Sequence, residues 1–166
     1  MAKMLGPCGS TNGSEKKMDT NLISRIVKIS VRHGASVDAL TVRYIRNGVE
    51  ESTEQWGGNG GSLTEFDLGP AEYITSVKGH YGSDMVRSIT FETNLGAYGP
   101  YGKEEGIPFE LPAVAGKIIG FHGLSGSYLY AIGVYVEVRK IVTVIIGNAV
   151  QIFIFFLISD LQIKFS

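Results

Sequence analysis

A recurring turn constrains this chain more than any other feature. Gly34, Gly82 and Gly126 each open a short turn that leads into an alternating apolar segment, and they stand 48 and 44 residues apart. A second element recurs with it. The glycine-rich loops "GSTNG" (residues 9–13), "GGNGG" (57–61) and "GPYGKEEG" (99–106) each precede one of the turns, and the first two start 48 residues apart. Two separate elements with one shared period imply three copies of one supersecondary unit. Three units, each with one apolar face, would bury those faces against one another around a pseudo-threefold axis.

The units are built of strands. Val27, Ile29 and Val31 alternate with Lys28, Ser30 and Arg32; Leu40, Val42 and Tyr44 alternate with Thr41 and Arg43. Asn47-Gly48 then supplies a hairpin turn. Ile89 and Phe91 alternate with Ser88, Thr90 and Glu92, and Ile132, Val134, Val136 and Val138 with Gly133, Tyr135 and Glu137. A period of two with one apolar face predicts half-buried antiparallel strands. Helical periodicity is weak before residue 140. The 22 glycines, eight Tyr and eight Phe suit an all-β domain with many tight turns.

Several functions are argued against. Fifteen basic residues face 16 acidic ones without a basic run, so no nucleic-acid partner is expected. Cys8 is the lone cysteine, which excludes an internal disulfide and a multi-cysteine metal site. The start "MAKMLGPCGS" has no apolar h-region, so a cytoplasmic or nucleocytoplasmic setting is expected. In that setting the glycosylation pattern Asn12-Gly13-Ser14 is idle. His33, His80 and His122 lack ligand spacing, so they read as surface or turn residues and no metal or other cofactor is expected. Ser125 and Ser127 have no hydrolase partners and read as loop residues. The loop 57–61 lacks the Lys-Ser/Thr and helix of a phosphate cradle. Trp56 reads as a core anchor rather than a ligand platform. No nucleophile–base set is visible, so the chain does not read as an enzyme.

The segments "GPCGSTNGS", "GASVDALTVRYI", "QWGGNGGS", "TFETNLGAYGPYG", "GIPFELP", "KIIGFHG" and "SGSYLYAIGVYVEV" span roughly residues 6 to 138. In content, order and spacing they resemble the jacalin-related plant lectins. The resemblance implies a β-prism of three four-stranded antiparallel Greek-key sheets with pseudo-threefold symmetry. It also implies reversible, metal-free binding of sugars, a homo-oligomer, and a role in plant defence. Galactose-preferring members are cleaved to expose a new glycine amino terminus at the site. This chain has the uncleaved layout, which points to mannose- and glucose-type glycans.

Sugar chemistry makes the family's pattern intelligible. A pyranose hydroxyl both donates and accepts, so one carboxylate can take two O–H bonds while backbone N–H groups donate to the same oxygens. The pattern is glycine, three residues, then aspartate, opposite the last glycines of the loop. Carried over by resemblance, the second copy is complete: Gly34, Ala35, Ser36 and Asp38, with Gly60 and Gly61 opposite. The copy that joins the two chain ends has Gly126, Ser127 and Tyr128, with Gly13 opposite, but Tyr130 replaces the aspartate. This is a degraded second site, because a phenol cannot accept two adjacent hydroxyls; stacking of Tyr130 on a sugar face is the other reading. The third copy, "GSDMVRSI", is one residue longer, places Arg87 near the aspartate's position, and carries Lys103, Glu104 and Glu105 on its loop. It reads as no site. Asp38 also has a plainer reading, as an ordinary turn aspartate, and a prism used only for structure or interaction is the rival to a lectin.

The sequence divides into a lectin-type domain over residues 1–140 and an apolar tail over 141–166. Residues 141–158 carry no charge and follow Arg139 and Lys140. As a helix this stretch would reach about 27 Å, just short of a bilayer core of about 30 Å. A tail anchor holding the domain in the cytosol is one reading. An aberrant, aggregation-prone extension is the other, since Asn148, Gln151 and the β-branched residues do not suit a membrane helix.

Overall fold

The computed structural model describes residues 2–138 and 140–155. Its described residues form strands and no helix. In chain order these are β1 (Ala2–Gly9), β2 (Ser14–Lys17), β3 (Ile23–His33), β4 (Val37–Arg46), β5 (Val49–Ser52), β6 (Trp56–Gly57), β7 (Ser62–Asp67) and β8 (Ile74–Tyr81). They continue with β9 (Val86–Thr93), β10 (Ala97–Gly102), β11 (Ile107–Pro112), β12 (Gly116–Ser125), β13 (Leu129–Val138), β14 (Lys140–Ile146) and β15 (Ala149–Phe155).

One pairing scheme is used three times. In the second copy β3 and β4 form the central hairpin, β5 and β6 pair with β4, and β7 pairs with β3. In the third, β8 and β9 form the hairpin, β10 pairs with β9, and β11 with β8. In the terminal copy β12 and β13 form the hairpin, while β1 pairs with β13 and β2 with β12. The N-terminal strands thus complete a sheet begun by the C-terminal ones. The chain is an all-β protein with the Greek-key β-prism fold.

The three apolar faces meet in one core. Phe66 from β7, Phe91 from β9 and Phe121 from β12 bring one ring from each copy to the axis, with centroids 5.5 Å (Phe66–Phe91) and 6.1 Å (Phe91–Phe121) apart. Offset and edge contacts of this kind add to the gain from burial itself. Ile29, Val42, Ile89, Ile132 and Val134 are fully buried, as the alternation predicts, and Trp56 is a core residue. Asn47 and Gly48 have φ of 47° and 77°, the geometry of the expected β4–β5 turn.

The sequence expectations fail in several places, the burial of Gly133 and Glu137 in β13 among them. A register shift between Ile26 and Lys28 bulges β3, so Ile26 is buried where strict alternation predicts Val27. Ser88 and Thr90 are buried too, because β9 is central to its sheet. Val138, at the end of β13, lies beyond the core and is exposed. His122 is buried within β12 and Ser125 ends that strand, so neither holds a surface or loop place.

The tail is not the helix considered above. β14 and β15 pair from Lys140↔Phe155 to Ile146↔Ala149 as a separate two-stranded sheet. Gly147, at the first turn position with φ 62°, suits a tight hairpin. The β-branched run from Ile141 to Ile146 explains the outcome, since such side chains lose rotamer freedom in a helix and fit a pleated strand. Among the described residues no helix is long and apolar enough to cross a membrane, a statement that does not bear on crossing by strands. Residues 156–158 of the apolar stretch lie outside the described residues.

Candidate functional site

The three hairpin turns and the three glycine-rich loops face each other at one end of the prism. The turn glycines act alike: Gly34 N–H donates to the Ser36 carbonyl (3.0 Å), Gly126 N–H to that of Tyr128 (3.1 Å) and Gly82 N–H to that of Met85 (2.9 Å). The strand register closes the same way, with His33 against Val37 and Ser125 against Leu129. In the third copy it is Tyr81 against Val86, one residue longer as the sequence indicated.

The loops then fix which residues are equivalent. Gly58 N–H donates to the Asp38 carbonyl (3.1 Å), Ser10 N–H to that of Tyr130 (2.9 Å) and Lys103 N–H to that of Arg87 (3.0 Å). Asp38, Tyr130 and Arg87 therefore occupy one position in three copies. The glycine requirement is plain at Gly57, where φ is 130° and a Cβ would overlap the Asp38 carbonyl oxygen.

In the second copy this geometry leaves an open cradle. Asp38 is buried, with 8 % of its surface exposed, and its carboxylate faces the loop: a Cβ on Gly61 would lie 2.6 Å from Oδ2, and one on Gly60 would overlap Oδ1. Among the described residues nothing donates a hydrogen bond to that carboxylate. Facing it, a Cβ on Gly34 would meet nothing closer than the Gly61 Cα, at 3.9 Å. The loop is held from behind. Gln55 Nε2 donates to the Gly58 carbonyl (3.0 Å) and to Asn59 Oδ1 (2.9 Å), and Arg32 Nη1 to the Asn59 carbonyl (3.2 Å). A carboxylate with free lone pairs beside a braced loop can receive a pair of hydroxyls with little reordering.

The other two cradles are filled from within. In the terminal copy the Tyr130 ring lies 3.0 Å from a Cβ placed on Gly126 and 2.5 Å from one placed on Gly13. In the third, Arg87 Nε and Asp84 Oδ1 each lie 3.1 Å from a Cβ on Gly82. The structure thus brings together Gly34, Ser36, Asp38, Gly60 and Gly61 around open space, with Ala35 exposed on the turn. Gly13, Gly126 and Tyr130 are brought together around a ring, with Ser127 and Tyr128 exposed beside it.

Other candidates do not assemble into chemistry. His33 Nε2 contacts Thr64 Oγ1 (2.8 Å) and His80 Nδ1 contacts Ser88 Oγ (3.2 Å). Among the described residues no three His, Cys, Asp or Glu side chains group as a metal site. A cleft of about 490 Å³ is lined by Met4, Leu22, Ile119 and Tyr135 at the end remote from the turns.

Comparison with known proteins agrees with this architecture. Residues 5–135 match the family model described as "Jacalin-like lectin domain". The chain is 42 % identical over 142 residues to jacalin-related lectin 3 of Arabidopsis thaliana, a match that spans 80 % of this chain and 23 % of that protein. A mannose-binding jacalin-related lectin from Ananas comosus superposes with a TM-score of 0.75 at 36 % identity, over 81 % of this chain and 96 % of the other. A mannose-specific jacalin-related lectin from Morus nigra, solved with mannose, gives 0.73 at 35 % identity, over 81 % and 94 %. These relatives are lectins and not enzymes. By fold, by repeat and by the match over most of its length, this chain belongs to the jacalin-related lectins, a family of carbohydrate-binding proteins.

Proposed function

We propose that this lectin binds mannose- or glucose-type glycans at one site, the cradle of Gly34, Ala35, Ser36, Asp38, Gly60 and Gly61, without a metal ion. One observation carries the reading. At the position shared by the three copies, only the second presents a carboxylate, Asp38, and only there is the space before the turn glycine open. The mannose preference comes from the solved relatives, which are described as mannose-binding and mannose-specific. In this reading the Asp38 carboxylate accepts two sugar hydroxyls, while the turn at Ala35 and Ser36 supplies backbone N–H donors to the same oxygens, the Gly34 N–H being held by the Ser36 carbonyl. Independence from metal follows from a recognition made of hydrogen bonds alone.

Titration of the protein with methyl α-mannoside, with and without EDTA, tests the proposal. One saturable site per chain, indifferent to EDTA and absent in Asp38→Ala, is the expected result. A single lectin site of this kind binds with about 4 kcal/mol, a millimolar affinity. A hydrogen bond to a charged group is worth about 1.5–3 kcal/mol, so losing two leaves nothing measurable. Binding that survives Asp38→Ala, or that EDTA removes and calcium restores, would overturn the reading. A chain that retains no glycan at all would be left with the role of a structural or interaction module.

A further inference from the structure

The third copy has lost its own acceptor, yet the residue that replaced it reaches the second. Arg87 stands where Asp38 stands in the neighbouring copy, its carbonyl taken by Lys103 N–H (3.0 Å). Its side chain lies over its own turn glycine, Gly82. There Nη2 donates to both carboxylate oxygens of Asp84, at 3.0 and 3.1 Å. From that clamp Nη1 extends across the pseudo-threefold axis and donates to Ser36 Oγ at 3.3 Å.

Ser36 is part of the turn that builds the Asp38 cradle, and it is buried. Its carbonyl already receives Gly34 N–H (3.0 Å), so the contact with Arg87 fixes a residue two positions from Asp38 on the same tight turn. The extra residue in the third turn has a use here. It carries Asp84 to a place from which a bidentate pair can hold the guanidinium level, a geometry that lysine's point charge cannot copy. Asp84 is itself tied back to the terminal copy, since Ser10 Oγ donates to its carbonyl (3.0 Å).

We infer that Arg87 is a positioning residue for the second-copy site: clamped by Asp84, it holds Ser36 and so sets the turn of Gly34, Ala35 and Ser36 against Asp38. The inference rests on the proposed function for its effect on sugar affinity, but not for its effect on the turn. The third copy, silent as a site, then acts as a brace for the working one. The bond is long and shared with solvent at one end, so its loss loosens the turn without dismantling the fold. One net hydrogen bond is worth about 1 kcal/mol, which corresponds to about fivefold in affinity.

The test is a double-mutant cycle in the full chain, with two readouts. Arg87→Met and Ser36→Ala should each weaken methyl α-mannoside binding about threefold to tenfold. Combined, they should weaken it no more than the worse single change, because both remove one contact. Arg87→Lys should recover little of the loss. The second readout needs no sugar: amide hydrogen exchange in Arg87→Met should speed up at Gly34, whose N–H is bonded to the Ser36 carbonyl, by about the same factor and stay unchanged in β8 and β9. Wild-type protein that binds no mannoside would overturn the proposed function, and the exchange measurement alone would then decide the brace. Affinity within twofold of wild type in Arg87→Met, additive losses in the double variant, or turn exchange that does not change would each overturn the brace. If Arg87→Met unfolds, Asp84→Asn releases the clamp more gently and should give the same pattern.

Discussion

The second and terminal copies share nearly every backbone device and differ most at the acceptor position, Asp38 against Tyr130. In both, the turn glycine donates to the carbonyl two residues on, and the loop returns its N–H to the residue at the acceptor position. In both, the last loop glycine has a positive φ, 65° at Gly61 and 84° at Gly13, and lies over the carbonyl that ends the first hairpin strand, that of His33 or Ser125. At the acceptor position one copy has a short carboxylate beside open space and the other a ring that fills the space. The backbone of such a cradle is thus kept by folding needs alone: the loop must cross the hairpin closely whether or not a sugar binds. In the proposed reading, function sits in the acceptor residue on a scaffold that persists without it.

The sharpest way to break the comparison is to exchange those residues. Tyr130→Asp should empty the space between Gly126 and Gly13 and place a carboxylate against a loop that is already shaped for it. Titration with methyl α-mannoside should then move from one site per chain to two, and two sites on one domain should raise avidity for clustered mannosides well above the single-site affinity. Asp38→Ala should move it to none, and Tyr130→Ala should leave it at one. A second site in Tyr130→Ala would show that the ring blocks binding and that the missing carboxylate is not what silences the copy. Loss of all binding in Tyr130→Ala would place the working site in the terminal copy.

A smaller effect separates folding from binding. Gly61→Ala and Gly13→Ala each put a Cβ at positive φ and within 2.6 Å of a carbonyl oxygen. Both should lower stability by about 1–3 kcal/mol, read as a drop in thermal midpoint. Only Gly61→Ala also pushes the Asp38 carboxylate, so only it should weaken the mannoside, by about tenfold or more. Equal loss of sugar binding in both variants would mean that the two copies are coupled through stability and that the cradles are not independent.

Much of this was legible in the sequence because it is local. The four-residue step from glycine to acceptor, the one-residue extension of the third turn and the place of Trp56 all follow from short spacings, and the structure has each of them. What was not legible depends on partners far along the chain. The β3 bulge that buries Ile26 is a matter of register with β4, which alternation does not encode. Arg87 reads as a lost acceptor until the axis brings Ser36, 51 residues away, within reach. The tail was legible only as a choice between a membrane anchor and an aberrant extension; its β-branched residues, already at odds with a helix, form a hairpin. His122 read as a surface or turn residue because it lacks ligand spacing, which says nothing of burial; β12 buries it although the matching residues of the other copies, Lys78 and Ser30, are not buried.

That last difference gives the smallest and most selective prediction. His122 pairs with Gly133, and because glycine has no side chain the imidazole lies across β13, where Nε2 meets the Leu5 carbonyl of β1 at 3.0 Å. The ring also contacts Tyr135, with centroids 5.1 Å apart. Burial outweighs the help of this bond and holds the His122 pKa below the ordinary histidine value. The unfolded chain therefore takes up a proton, near pH 6.5, before the fold does. The stability His122 contributes is present above about pH 6.5 and is lost as the pH falls from there through the lower folded value, at up to about 1.4 kcal/mol per pH unit. His122→Gln offers the Leu5 carbonyl a donor that does not titrate, so its thermal midpoint should change less between pH 7 and pH 5 than that of the wild type. Because the His122–Leu5 contact lies in the terminal copy, away from Asp38, the same variant should bind methyl α-mannoside with wild-type affinity at pH 7. An equal pH slope in the two proteins would remove His122 as the cause. A loss of affinity at pH 7 would show that strain in the silent copy reaches the working one.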